Sequence, residues 1–135
     1  MTPAQRFATV RVARLATVAE SGAPRLVPIV FALDGDTIYS AVDRKPKRTT
    51  ALRRLADVAA RPRVAVLADH YEEDWSRLWW VRADGAARVL PLPDPEAAHA
   101  LRLLTARYPQ YLDEPPPGPV LAVAVDRWTA WAASR

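Results

Sequence analysis

Four cations stand within five residues at Arg44, Lys45, Lys47 and Arg48, and the two lysines are the only ones in the chain. Hydroxyls flank them at Ser40, Thr49 and Thr50. The hydrophobic pattern puts a strand before this segment and a helix after it, so the cations gather at a helix N-terminus. That end carries free backbone N–H groups and the positive end of the dipole. Cations there oppose the dipole and point to an anion lying among them. The chemistry implied is phosphate binding without a glycine loop; the same residues also describe a solvated basic loop.

Other chemistries find less support. Gly-x-Gly-x-x-Gly, Walker and His-Glu-x-x-His patterns are absent, and four glycines are few for a phosphate cradle. With no cysteine there is no disulfide, thiolate metal site or cysteine nucleophile. None of Ser21, Ser40, Ser76 or Ser134 lies in a nucleophile elbow. His99 falls in a helical pattern and reads as a surface or packed residue. His70 sits beside Asp69, Glu72, Glu73 and Asp74, a combination that suits a hard metal but more commonly marks a solvated acidic loop. No catalytic residue and no metal site is assigned; Tyr71 and His70 are proton-donor candidates by chemistry alone.

A length of 135 residues suits one domain, 1–135. The net charge of +4 invites a nucleic-acid reading. The arginines, however, are spread among alanine, valine and acids, and no asparagine occurs. That composition fits a GC-rich coding bias, so no nucleic-acid partner is expected. No apolar run is long enough for a membrane span, and the first residues lack a signal-peptide core. A cytoplasmic protein without membrane contact is the expectation.

The elements that must position the basic segment follow from periodicity. Thr2 and Pro3 open a short helix over residues 3–8. Residues 11–18 alternate as a strand. Turn residues 20–24 lead to a second strand, Arg25 to Leu33, and Asp34-Gly35-Asp36 is tight-hairpin chemistry before a third, Thr37 to Val42. An amphipathic helix then sets Leu52, Leu55, Val58 and Ala59 opposite Arg53, Arg54 and Asp57. Arg61-Pro62 ends it, residues 64–68 read as a buried strand, and 69–74 as a loop. A long strand from Leu78 to Leu90 puts Trp79 and Trp80 on opposite faces, with a bend at Gly85. Asp94 caps a helix over 95–107, a Pro-rich connector follows, and Val120 to Trp131 is the last strand. The order predicts a mainly β protein with a few helices: a six-stranded antiparallel barrel.

Leu15-Ala16-Thr17-Val18, Gly22 through Phe31, Asp34-Gly35-Asp36-Thr37-Ile38-Tyr39, Lys45-Pro46-Lys47 and Arg61 through Leu67 occur in an order that resembles the flavin split-barrel proteins. These include pyridoxamine-phosphate oxidase and the F420-dependent oxidoreductases. The run Asp69 through Arg82 resembles one F420-linked subgroup. The resemblance implies an FMN-binding split-barrel-like fold and a homodimer with cofactor clefts between subunits. It implies a ring contact along Arg25, Leu26, Val27 and Pro28, in part through backbone. Tyr39 and Ser40 match the strand end near the ribityl or phosphate chain. Lys47 matches the phosphate-binding lysine, with Arg44, Lys45 and Arg48 beside it. Asp57 stands near a place where the family often has Asn. Among the tryptophans, Trp80 is taken as the cleft residue.

The function implied is hydride transfer between reduced coenzyme F420, whose phosphate and polyglutamate tail suit the basic entrance, and a small organic substrate. The alternatives are an FMN-dependent oxidase or reductase and a non-catalytic F420 carrier or sensor.

Overall fold

A computed structural model describes residues 1–42 and 48–134; for residues 48–52 it describes the backbone only. Arg44, Lys45 and Lys47 thus lie outside the described residues, as does the side chain of Arg48. The elements run α1 (Pro3–Phe7), β1 (Ala13–Val18), β2 (Pro24–Ile29), β3 (Ala32–Asp34), β4 (Thr37–Ala41) and α2 (Arg48–Ala60). There follow β5 (Arg63–His70), β6 (Trp79–Leu90), α3 (Pro95–Arg107), α4 (Gln110–Asp113) and β7 (Val120–Ala132), with one 3-10 turn at Trp75–Arg77.

Seven antiparallel strands form one sheet in the order β2-β1-β5-β6-β7-β4-β3. The two end strands, β2 and β3, are consecutive in the chain and joined only by Val30 and Phe31. The sheet must therefore curl until its ends approach at that join, which makes it a split barrel whose end strands do not pair with each other. Alternation then sorts the side chains: Ala13, Leu15, Val64, Val66, Val81 and Ala83 point inward and are buried, while their neighbours point out. Phe7 of α1 plugs one end, edge-on to Phe31 and Trp128. Val58 of α2 joins the same core. A second cluster forms outside the barrel, where Ala97, Ala100 and Leu104 of α3 bury Tyr39, Ala122 and Val120.

The predicted class holds, with one strand more than expected. The break falls within the expected strand Arg25 to Leu33. At Phe31 the backbone turns from one sheet end to the other, and Tyr108, just past α3, satisfies it. The Tyr108 hydroxyl accepts the Phe31 N–H at 3.1 Å and lies 2.9 Å from the Phe31 carbonyl oxygen. That donor and acceptor replace the ladder bonds a continuous strand would have made.

The helix face also needs correction. Asp57 was expected opposite the apolar stripe of α2, yet it is buried beside Val58, while Ala59 is exposed. Its carboxylate accepts from the Thr17 hydroxyl and from Arg25 Nε, both at 3.1 Å. A carboxylate with two donors is tolerated where an unpaired one is not. β5 also extends to His70, two residues into the expected loop. The bend expected at Gly85 is a bulge: Asp84 pairs with Arg127 and Gly85 with Val125, leaving Asp126 as an extra residue on β7.

Removing the Asp57 carboxylate should loosen the α2 contact with β1 and β2. Asp57→Ala leaves Thr17 and Arg25 without their acceptor, but Arg25 is partly exposed and water compensates it. A loss of about 1–2 kcal/mol is expected by urea unfolding, with Asp57→Asn losing less. An Asp57→Ala protein within about 0.3 kcal/mol of its parent would mean that the cluster adds nothing to stability.

Candidate functional site

The outer face of the barrel carries a cleft of about 420 Å³ over β2, β1, β5 and β6. Its lining is Arg14, Ala16, Leu26, Ala65, Leu67, Asp69, Tyr71, Trp80 and Arg82. The strand register lays this surface out in rows. One row runs Leu26, Ala16, Ala65, Asp84 from β2 to β6; the next runs Pro28, Arg14, Leu67, Arg82; a third pairs Asp69 with Trp80 and Trp80 with Trp131. Small residues in the middle, Ala16 and Ala65, make the floor. Longer ones at the ends make the walls.

β2 is an edge strand, and its outer edge is sparse in donors. Ala19 N–H bonds the Ala23 carbonyl at 2.9 Å, which fixes the phase of the β1–β2 ladder. Stepping by two, the pairs Thr17/Arg25 and Leu15/Val27 bond to each other, while Pro24, Leu26 and Pro28 turn their backbone groups outward. Prolines have no N–H, so Leu26 alone offers an outward donor on this strand. Beside it lie the outward carbonyls of Pro24, Leu26 and Pro28. The result is a short strip of acceptors around one donor at the cleft's edge.

The expected site residues separate on this frame. Leu26 and Trp80 line the cleft, and Pro28 stands beside Arg14 on the same face. Arg25 and Val27 point to the barrel side, and Arg25 is engaged by Asp57. Tyr39 and Ser40 lie on β4, away from the cleft. The Ser40 hydroxyl donates to the Val30 carbonyl at 2.9 Å, at the join of β2 and β3. The Tyr39 hydroxyl donates to Glu96 Oε2 at 2.8 Å, and Glu96 also takes two bonds from Arg88. Burial and that carboxylate push the Tyr39 phenol up to about 12, while Arg88 and Tyr39 hold Glu96 below its ordinary range. Tyr39 is therefore a neutral donor at physiological pH.

Of the tryptophans, Trp79 packs against the core and Trp80 faces the cleft, as the alternation requires. The proton-donor candidates differ in place. Tyr71 lines the cleft, whereas His70 points its Nε2 at Glu72. His99 pairs with Asp34 on the α3 side. Among the described residues no three potential metal ligands cluster, and no helix is long and apolar enough to cross a membrane. Arg14, Ala16, Ala65, Leu67, Asp69 and Arg82 were not anticipated as site residues. Their signal was the outward half of each alternating strand, which becomes a site only when β1, β5 and β6 are known to be neighbours.

A curled antiparallel barrel with an apolar cleft beside an edge strand has the architecture of the flavin-binding split barrels. Residues 4–132 match the family model of pyridoxamine 5'-phosphate oxidase, and the chain belongs to that family. No curated protein matches it in sequence. Solved structures share the fold. A conserved hypothetical protein of Mycobacterium tuberculosis is 20% identical with a TM-score of 0.75, covering 96% of this chain and 82% of that one. An FAD-binding protein of Mesorhizobium loti is also 20% identical, with a TM-score of 0.67 and coverage of 93% and 88%. The heme storage protein HutZ of Vibrio cholerae is 12% identical, with a TM-score of 0.72 and coverage of 95% and 90%. At these identities the likeness speaks for the fold alone.

Proposed function

We propose that the chain is an F420-dependent oxidoreductase whose deazaflavin ring lies along β2 and over the cleft. The observation that carries this reading is the cleft itself: a flat floor of Ala16, Ala65 and Leu67 beside one outward N–H at Leu26. A flavin or deazaflavin ring has an apolar face and one edge mixing carbonyl oxygens with an N–H. That edge complements the Leu26 donor and the neighbouring carbonyls. When bound, the cofactor supplies the hydride, and the protein's tasks are to bind, orient and exclude water. Leu26 and the β2 backbone orient the ring, and Trp80 and Tyr71 wall the cleft. The basic segment Arg44, Lys45, Lys47 and Arg48 draws the phosphate and acidic tail. That preference for a long anion favours F420 over FMN.

Fluorescence titration with F420 and FMN in parallel, at low salt, tests the choice. F420 should bind more tightly. Tight FMN binding without F420 binding would assign the chain to the FMN-dependent class. Tight F420 binding without turnover of any acceptor would make it a carrier or sensor. A shifted Soret band on adding hemin, with neither flavin bound, would replace the redox reading with heme binding.

The cleft is shallow for one subunit, and a second copy of the chain would roof it. Leu26 is 69% exposed and Trp75 76% exposed, with Tyr71 and Trp131 also exposed on or near this face. Apolar side chains of this size are costly to leave in water. Size-exclusion chromatography with light scattering should give twice the chain mass at micromolar concentration. A clean monomer would remove the shared cleft.

A further inference from the structure

The cleft holds two arginines in one row, on β1 and β6, with Leu67 of β5 between them. Two strand spacings separate their backbones by about 9–10 Å. Their partners differ. Arg82 is engaged: its Nε donates to Asp84 Oδ2 at 3.1 Å, and its guanidinium lies 6.0 Å from the Trp80 ring. Arg14 makes no ion pair or hydrogen bond among the described residues. Its cross-strand neighbours are Pro28 and Leu67, whose side chains offer it no acceptor. Asp69 shares the cleft, one step diagonally along β5, and forms no ion pair with either arginine within 4.0 Å. A planar, always-charged fork standing unpaired over an apolar floor is suited to a flat anion, which it can bond in two places.

We propose that Arg14 recognises an anionic group on the acceptor substrate. The substrate class is then a flat, largely apolar molecule carrying a carboxylate or a similar oxyanion, its body beside the ring toward Tyr71 and Trp80 and its charge at Arg14. This rests on the cleft being the redox site. The same anion chemistry is present in the acidic tail of the cofactor, so the test separates the two sources.

Two dyes of one shape serve as probes: the sulfonate 8-anilinonaphthalene-1-sulfonate and its uncharged twin N-phenyl-1-naphthylamine. Each is titrated by fluorescence at low salt, with and without saturating F420. The parent should prefer the sulfonate by about five- to tenfold, the size expected of one partly exposed charge-assisted contact. Arg14→Ala should remove that preference and leave the neutral dye unchanged, and Arg14→Lys should keep part of it. Asp69→Asn, which removes the one carboxylate lining the cleft, should strengthen sulfonate binding. All three should unfold thermally as the parent does, and Arg14→Ala should bind F420 with unchanged affinity. An unchanged sulfonate preference in Arg14→Ala overturns the proposal, as does an equal loss for both dyes. A sulfonate displaced by F420, together with weaker F420 binding in Arg14→Ala, would assign Arg14 to the cofactor's tail and overturn the substrate role. If F420 binds to no form of the protein, the cofactor reading falls, while the dyes still decide whether Arg14 recognises anions.

Discussion

Replacing Gly85 by alanine is expected to cost the fold about 3 kcal/mol, the upper end of what overpacking usually costs. A Cβ at this position would stand 2.2 Å from the Ala124 carbonyl oxygen, 2.9 Å from its carbon and 3.0 Å from Val125 Cα. All three are backbone atoms of β7, so no rotamer change relieves the contact, and the strand itself must move. It cannot move freely, because β7 is bonded to β6 on one side and β4 on the other. The bulge beside Gly85 also decides which face each later residue of β7 takes. Before it Leu121 and Val123 fill the core; after it Trp128 packs inward and Trp131 lies opposite Trp80 on the outer face. A midpoint fall of about 10 °C in calorimetry is the expected reading for a domain of this size. Gly35→Asn is the control. Gly35 has φ 60° with nothing within 4 Å of an added Cβ, and asparagine tolerates that region, so its change should stay within about 0.5 kcal/mol. A Gly85→Ala protein as stable as that control would mean that β6 and β7 are not so closely apposed.

Lys47→Ala should weaken F420 binding by about ten- to 150-fold, the equivalent of about 1.5–3 kcal/mol for a lost charge-assisted hydrogen bond to phosphate. Lys47 directly precedes α2 in the sequence, and the start of a helix offers free backbone N–H groups to a phosphate. Thermal unfolding without ligand should barely change. Arg102→Ala on α3, an exposed residue of equal charge, controls for long-range attraction. If both substitutions weaken binding slightly and alike, and salt erases the difference, the segment acts through general charge. A Lys47→Ala protein that binds F420 like its parent would place the phosphate elsewhere.

Most elements were legible because each rests on a local pattern. Thr2 and Pro3 announce α1, and the structure adds Gln5 as the reciprocal partner of the Thr2 cap. Asp94 and Pro95 announce α3, and alternation announces β1 and β6. The apolar run 64–68 announces β5, though as a wholly buried strand, whereas Ala65 and Leu67 face the cleft. The failures have distant causes. The join at Phe31 depends on Tyr108, 77 residues later, and no window around Phe31 contains it. Asp57 reads as a solvent residue until Thr17, 40 residues earlier, is placed beneath it. Arg14 is the same case at the cleft. In the chain it is one exposed arginine among many, and it becomes notable only when β5 and β2 flank β1. The basic segment stands out in the sequence by its charge density, and its side chains lie outside those the structure describes.

β7 has a consequence for how the protein is made on the ribosome. It joins β6 to β4 in mid-sheet, yet it emerges after the other six strands. Until residues 120–132 leave the exit tunnel, the chain can assemble β2-β1-β5-β6 on one side and the β3–β4 hairpin on the other, with nothing to zip them together. The outer cleft belongs wholly to the first of these pieces. A nascent chain would therefore display its apolar cleft wall before the barrel closes. In that interval the unpaired edges of β6 and β4 are open to other chains.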